Sequence, residues 1–553
     1  MTTSAKKLAQ HWLARGQEVV TFLRPEHRAR LRDEERVEER LAEIAREFGL
    51  RAENPSSRTL VDGMWFNPNY WYRFTLMRAA FGCKRGHEIG LLGEYSSGRS
   101  AKAMRKLGID DLVSFPDLVR QAKSDAAGLA DAALRETQTA ADVLRWNLPS
   151  GYPADFVYDG ILKRQRAACV DTGATDFRGL AIEAFANALA AGRLIERQSP
   201  DLVFLSHALN FSYGAIAWAA MRRKIPTFVL LGNYGVPRFF RISEPADLYD
   251  WNDGLSRDEI DSLAPARAEG LKALGADYLA RRMSGGTGDI GGQFAFQRAD
   301  GRVSPEGVRH HFGWSDDKPV IAVYAHNWFD FPHGCGLSQF RDFLDWIEAT
   351  IAVAKETTQF NWLLKAHPCD EWYGGVTLRD LMPALPPHMG LVPTAWNGAD
   401  LQNAADALVT VQSTGGLEVA CQGKPVLLAD SGWYDKAGFA VVSTSRADYL
   451  ARLKTEWWHA LDLGRARERA LVFAGAYFCS PDWQSELLMA DDSQQDALWT
   501  DIDRLLDNRD GLVREVASVS DWIKSGEKRF HSFKMLEDRS KLSSNFVASR
   551  AAE

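Results

Sequence analysis

QSTGGLEVACQGKPVLLAD, residues 412–430, is the stretch that decides the fold. An apolar run, Ala407, Leu408, Val409 and Val411, comes just before it. The chain breaks at Ser413-Thr414-Gly415-Gly416, resumes with helical spacing through Glu418, and turns apolar again from Pro425 to Ala429. Strand, small polar turn, helix, strand is the local order that points free backbone N–H groups and a helix dipole at a phosphate. Ser413 and Thr414 add hydroxyls, and Gly415 lets a ligand approach the backbone. Glu418, one turn into the helix, is placed to accept bonds from ribose hydroxyls. The competing reading is a plain capping box, a Ser or Thr followed three or four positions on by an acid.

Upstream, WLLKAHP (362–368) ends a second strand with Lys365 and His367. A residue before proline is held extended, which aims this imidazole off the strand end and into a cleft. There it can donate to a phosphate oxygen or assist a leaving group. Around these two segments the chain alternates: strands at 318–327, 360–368, 389–394, 407–411 and 425–430, with a helix through 340–355. The first half has the same rhythm at 87–109 and in the strand–helix–strand unit 200–232. Such alternation predicts an α/β protein with parallel sheets covered by helices on both faces. Ligands of these sheets bind beyond the carboxyl ends of the strands. The candidates that follow strands are His326, His367 and Ser413, and, in the first half, Glu94 and His207.

Three further segments carry candidate chemistry. HNWFDFPH (326–333) holds His326, Asp330 and His333 on a loop, a spacing that suits nucleotide or sugar contacts better than a metal. LPSGYPADFVYDGILKRQR contains Asp155 and Asp159 near Lys163 and Arg164. A carboxylate there can serve as nucleophile or base, although the residues alone read first as helix caps. Glu94 is a comparable candidate for acid/base work. GNYGVPRFFR adds Arg238 and Arg241 as cations for an anionic substrate, with a plain surface position equally open. Asp501-Ile502-Asp503 reads as the solvated face of a helix. No Walker A or strand-linked dinucleotide fingerprint is present.

The chain has 553 residues, too long for one core, so two domains are expected. A glycine-rich loop at 283–294 marks the boundary, giving 1–300, 301–480 and a helical segment 481–553 that can cross back and whose tail frays. The net charge of −7 argues against nucleic acid as the main ligand. Six scattered cysteines without metal spacing fit a reducing compartment. The start of the chain has no continuous apolar core, and no stretch approaches a membrane span. The expectation is a cytoplasmic protein that meets a membrane only peripherally. Residues 27–49 read as a charged amphipathic packing helix with Leu31, Val37, Leu41 and Ile44 as its apolar stripe.

With these residues in view, residues 150–440 resemble bacterial capsule and surface-polysaccharide biosynthesis proteins, a group that includes the retaining β-Kdo transferases. The matching pieces are HNWFDFPHGCG with the helix after it, KAHP, QSTGGLEVACQGKPV with GWYDKAGF, ADFVYDGILKR, and SHALNFSYGAIAWAAMRRKIPTFVL. The resemblance implies a GT-B-like pair of Rossmann-type domains with a cleft between them and the donor nucleotide on the C-terminal one. It implies transfer of Kdo or a related ulosonic acid from a CMP donor to a glycan or glycolipid, with no metal and no cofactor besides the donor. His367, Ser413 and Thr414 would meet the phosphate, with Lys365, Gly415 and Glu418 beside them. His207, His326, Asp330 and Arg238 would meet substrate. Asp155 or Asp159 would be the nucleophile and Glu94 the acid/base. CDP-alditol polymer transferase, UDP-sugar 2-epimerase and a non-catalytic glycan-binding protein are the alternatives.

Overall fold

The computed structural model describes residues 25–47, 56–478 and 500–530, except 66–67, 82–85, 95–96, 232–237, 251–253, 287–291, 293–294, 297–301, 316, 369–375, 383, 501 and 505. The chain forms two six-stranded sheets. The first runs in the order β3-β2-β1-β4-β5-β6. Its strands are β1 (Arg58–Gly63), β2 (His87–Leu92), β3 (Asp111–Ser114), β4 (Leu202–Leu205), β5 (Thr227–Leu231) and β6 (Arg238–Ile242). The second runs β12-β11-β10-β7-β8-β9. Its strands are β7 (Val320–Tyr324), β8 (Asn361–Lys365), β9 (Met389–Leu391), β10 (Ala407–Thr410), β11 (Val426–Leu428) and β12 (Val441–Val442). Every residue of β4, β7 and β10 is buried, as strands covered on both faces require. These are two Rossmann-type domains in a GT-B-like arrangement, with a cleft between them.

Strand order reverses between β1 and β4 in one sheet and between β7 and β10 in the other. At such points the loops leave in opposite directions and open a crevice. His207 follows β4, His326 follows β7, and Gln412 to Thr414 follow β10.

One strand departs from the parallel expectation: β6 lies antiparallel to β5. Its outer edge is covered by the C-terminal segment, where Phe530 N donates to Phe239 O (2.9 Å) and Arg241 N to Lys528 O (2.8 Å). The helix Arg509–Ser525 thus returns to the first sheet, and its Trp522 is buried against Phe228 and Phe239. Covering an edge in this way removes unpaired backbone groups. Asp503 pairs with Arg36 and Arg40 of the helix Pro25–Glu47; Asp501 lies outside the described residues, as does the tail from 531.

The core of the second sheet reaches back in sequence to Leu255, Ile260, Leu271 and Tyr278, so the expected boundary at 300 falls inside one packing unit. The helix Pro265–Met283 crosses Leu463–Phe478 at two glycines. A Cβ on Gly275 would stand 2.0 Å from Leu471 O, and one on Gly475 would stand 2.0 Å from Leu271 O. Only hydrogen fits at that crossing. Among the described residues, no helix is long and apolar enough to cross a membrane.

Candidate functional site

The loop after β10 is a capped turn that leads straight into a helix. Ser413 is the N-cap of the helix Thr414–Cys421, and its Oγ accepts from Gly415 N (3.2 Å). Behind it, Gln412 N donates to His326 Nε2 (3.2 Å), and Thr410 Oγ1 lies 3.2 Å from the same nitrogen. Nε2 therefore accepts, and the His326 proton sits on Nδ1. Burial, helped by neighbouring His367, holds His326 down at about 3, so the ring is neutral. It stacks on Phe343 with centroids 4.5 Å apart. His326 thus acts first as a splint for the 410–413 turn.

Lys365 and His367 come off β8 beside this turn. A cavity of about 230 Å3 is lined by Lys365, His367, His326, Asp330, Gln412, Ser413, Thr414 and Gly415 together. The imidazole and both hydroxyls, from separate strand ends, face one space. Burial, and secondarily Lys365, pushes His367 down to about 4, so it offers a neutral N–H rather than a cation. Lys365 lies over the Tyr324 ring (4.7 Å) and supplies the positive charge. Tyr324 lines the same cavity, and its hydroxyl is buried with no hydrogen-bond partner among the described residues.

A second cavity of about 730 Å3 adjoins the first, with Cys335 on both linings. Asp155, Tyr249, His333, Arg341 and Lys436 line it, so both halves of the chain contribute. Asp155 accepts from Tyr249 Oη (2.8 Å) and from Phe156 N (2.8 Å).

Several expectations need correction. Asp159 does not face the cleft. It is 0% exposed, with Oδ1 2.7 Å from His333 Nδ1 and Oδ2 accepting from Gly334 N (2.9 Å). In this conformation it orients His333 and is closed to a sugar. Glu418 borders the first cavity, but Arg282 Nε (2.5 Å) and Gln402 Nε2 (2.6 Å) take its two oxygens, leaving a structural ion pair in place of a ribose contact. Arg238 lies over the Tyr477 ring (3.9 Å), and Arg241 donates to Ile523 O (3.0 Å). Neither lines either cavity, because β6 is an edge strand facing the C-terminal segments. Glu94 is exposed beyond β2 and lines neither cavity. His207 belongs to the first sheet's crevice and also lines neither. The 326–333 loop is divided: His326 and Asp330 both line the first cavity, with His326 bonded to the 410–412 turn and Asp330 to Lys163 (3.1 Å), whereas His333 lines the second cavity and meets Asp159.

Arg341, Tyr249 and Tyr324 were not singled out in the sequence, and His333 was read only as part of the 326–333 motif. His333 had a signal, since it closes the same motif as His326. The tyrosines and Arg341 had none, because only the fold brings them to the cleft.

No protein-family profile matches the chain, and no curated protein does. Solved structures do resemble it. They include the UDP-GlcNAc 2-epimerase from Neisseria meningitidis bound to UDP-GlcNAc (TM-score 0.23, 11% identity, 76% of this chain and 97% of that one). Two others are KpsC transferases from Thermosulfurimonas dismutans. The β-Kdo 2,4 transferase gives a TM-score of 0.32 at 14% identity over 50% of this chain and 80% of that one. The β-Kdo 2,7 transferase gives 0.29 at 15% over 52% and 80%. At such scores a likeness transfers neither substrate nor mechanism, and the residues of the cleft must carry the chemistry.

Proposed function

We propose that this chain is a glycosyltransferase that takes a sugar from a nucleotide-activated donor, with Kdo or a related ulosonic acid on CMP as the donor and a glycan as the acceptor. The observation that supports this reading is the single cavity in which His367, Ser413, Thr414 and the start of the helix Thr414–Cys421 meet. A cavity of about 230 Å3 suits the phosphate end of a nucleotide, and the adjoining one of about 730 Å3 has room for a sugar. The unpartnered Tyr324 hydroxyl is a buried group waiting for a ligand atom.

The chemistry follows from charge. When the bond between the anomeric carbon and the phosphoryl oxygen breaks, negative charge grows on the phosphate. Fixed donors stabilise that charge without reorganising. His367 N–H, the two hydroxyls and Lys365 are such donors, and the N-terminal end of the helix Thr414–Cys421 adds its dipole. On the other side, Asp155 lines the sugar cavity, its oxygens accepting from Phe156 N and Tyr249 Oη, so it is the carboxylate assigned to meet the anomeric carbon. His333 stands in the same cavity. Burial lowers its basicity, but the Asp159 carboxylate at 2.7 Å outweighs that and raises it above the ordinary histidine value. His333, with its basicity raised, and Arg341 line this cavity as the groups that would meet an anionic sugar.

Release of nucleotide from CMP-Kdo, UDP-GlcNAc and CDP-glycerol tests the reading. The transferase reading expects turnover of CMP-Kdo. Turnover of UDP-GlcNAc with epimerised product would replace it with the epimerase, and turnover of CDP-glycerol with the alditol transferase.

A further inference from the structure

Residues 432–439, GWYDKAGF, pack against the turn that carries Ser413 and Thr414. Two side chains of this segment donate to two successive carbonyls of the turn. Trp433 Nε1 donates to Gln412 O (2.9 Å), and Tyr434 Oη donates to Ser413 O (2.7 Å). The close approach depends on glycine on both sides. A Cβ on Gly432 would stand 2.7 Å from Gln412 Cβ, and one on Gly416 would stand 2.2 Å from Tyr434 Oη. The Tyr434 ring is held in place by its neighbours. It is 2% exposed, stacks on Phe439 with centroids 5.3 Å apart, and meets Trp433 edge to face at 4.7 Å.

The Tyr434 bond is more than the carbonyl needs. Ser413 O already accepts from Gly416 N (2.8 Å), so the second bond sets its direction rather than satisfying it. A trans peptide points its C=O and its N–H in opposite directions. With Ser413 O turned to Tyr434 Oη, the Thr414 N–H points away from Tyr434. Thr414 is the first residue of its helix, so the helix offers this amide no carbonyl. The amides on either side are committed locally: Ser413 N to Thr410 Oγ1 (3.4 Å) and Gly415 N to Ser413 Oγ (3.2 Å). Thr414 lines the cavity of about 230 Å3 together with Lys365 and His367, whereas Tyr434 lines neither cavity.

We infer that Tyr434 is the positioning residue of this turn: by holding Ser413 O it presents the Thr414 N–H, beside the Ser413 and Thr414 hydroxyls, to the phosphate of a nucleotide. Tyr434 itself touches no ligand. It acts by preorganisation, since an amide aimed before the phosphate arrives needs no reorientation on binding. Trp433 does the same for the preceding peptide, whose N–H is kept on Thr410. The inference rests on the reading of this cavity as a phosphate site, and its test separates the two.

Isothermal titration with CMP and with cytidine, which lacks the phosphate, is compared for wild type and three variants. Tyr434→Phe removes one oxygen and keeps the ring. Gly416→Ala places a methyl group where the Tyr434 hydroxyl stands. Tyr449→Phe is the control, a buried tyrosine whose hydroxyl meets Trp346 and Thr350 and which lines neither cavity. The ratio of CMP affinity to cytidine affinity isolates the phosphate. Wild type should bind CMP about 100-fold more tightly than cytidine, as several hydrogen bonds to a charged group require. Tyr434→Phe and Gly416→Ala should each cut that ratio about 10-fold, the scale of one such bond, with cytidine affinity held within about twofold. Tyr449→Phe should keep the wild-type ratio. A purely structural role for Tyr434 moves both affinities together and leaves the ratio alone. A ratio within about twofold of wild type in Tyr434→Phe, or the same fall in Tyr449→Phe, overturns the inference. A wild type that binds CMP no better than cytidine overturns the phosphate reading of the cavity instead.

Discussion

Asp159 Oδ1 and His333 Nδ1 lie 2.7 Å apart across 174 positions of sequence, and the bond joins the two halves of the chain at the floor of the cleft. The helix Ala154–Gln165 makes two more such ties: Tyr158 Oη donates to Asp342 Oδ2 (2.5 Å), and Lys163 reaches Asp330 (3.1 Å). This helix therefore ties the first half of the chain to residues 330–342 of the second.

The Asp159–His333 pair makes stability depend on pH with a defined sign. The folded value of His333 is raised, so the pair's contribution is fully present below about pH 6.5, the ordinary histidine value. It is lost as pH rises through the raised folded value. Removing one partner of a buried pair costs about 3–5 kcal/mol. Thermal melts from about pH 6 to pH 9 should show wild type losing stability relative to His333→Gln as pH rises. A constant difference across that range would show that the pair does not titrate.

Donor affinity should depend on His367 and Thr414 more cleanly than on Ser413. His367→Ala and Thr414→Ala each should weaken CMP binding by about 10-fold, with little effect on the melt, since each removes about one hydrogen bond to a charged group. Ser413→Ala should also lose about 1 kcal/mol of stability, because its hydroxyl caps the helix. Isothermal titration beside denaturant melts distinguishes these effects.

A trapped intermediate should lie on Asp155. Asp155 borders the sugar cavity, whereas Asp159 is fully buried against His333 and Gly334 and lines neither cavity. Mass spectrometry of peptides after rapid quenching with donor should place a sugar mass on Asp155, and Asp155→Asn should abolish it. The same mass on Asp159 would mean that the helix re-pairs when donor enters.

Gly275→Ala should destabilise by about 1–3 kcal/mol or more, because its methyl group would meet backbone 2.0 Å away and the two helices must separate. A denaturant melt measures this. Ala substituted at Gly128, where a Cβ meets nothing within 4 Å, serves as the control and should be neutral or stabilising.

The strands β7, β8, β10 and β11 were legible because buried parallel strands must be continuously apolar, and their runs stand out between polar turns. The turn at Ser413 to Gly416 was legible for the same reason: these residues break an apolar run abruptly. What failed was non-local. Glu418 looked exposed to a ribose because its partner Arg282 lies 136 positions away. Arg238 looked like a substrate cation because nothing nearby in sequence announces that β6 is an antiparallel edge strand roofed by the C-terminal segment. Asp62 was missed because β1 reads Arg-Thr-Leu-Val-Asp-Gly, too polar at its ends to announce a strand. Without that strand there was no reason to place a carboxylate beside Ser206. Asp159 and Asp155 look alike in sequence, and only the packing of the helix Ala154–Gln165 separates a buried tie from a cavity wall.

The most direct measurement is a crystal structure of the protein soaked with CMP. The account predicts the phosphate within hydrogen-bond distance of the Ser413 or Thr414 hydroxyl and of the His367 ring, with Lys365 and the Tyr324 hydroxyl turned toward the nucleotide. CMP seated elsewhere, or phosphate bound with His367 facing away, would contradict it.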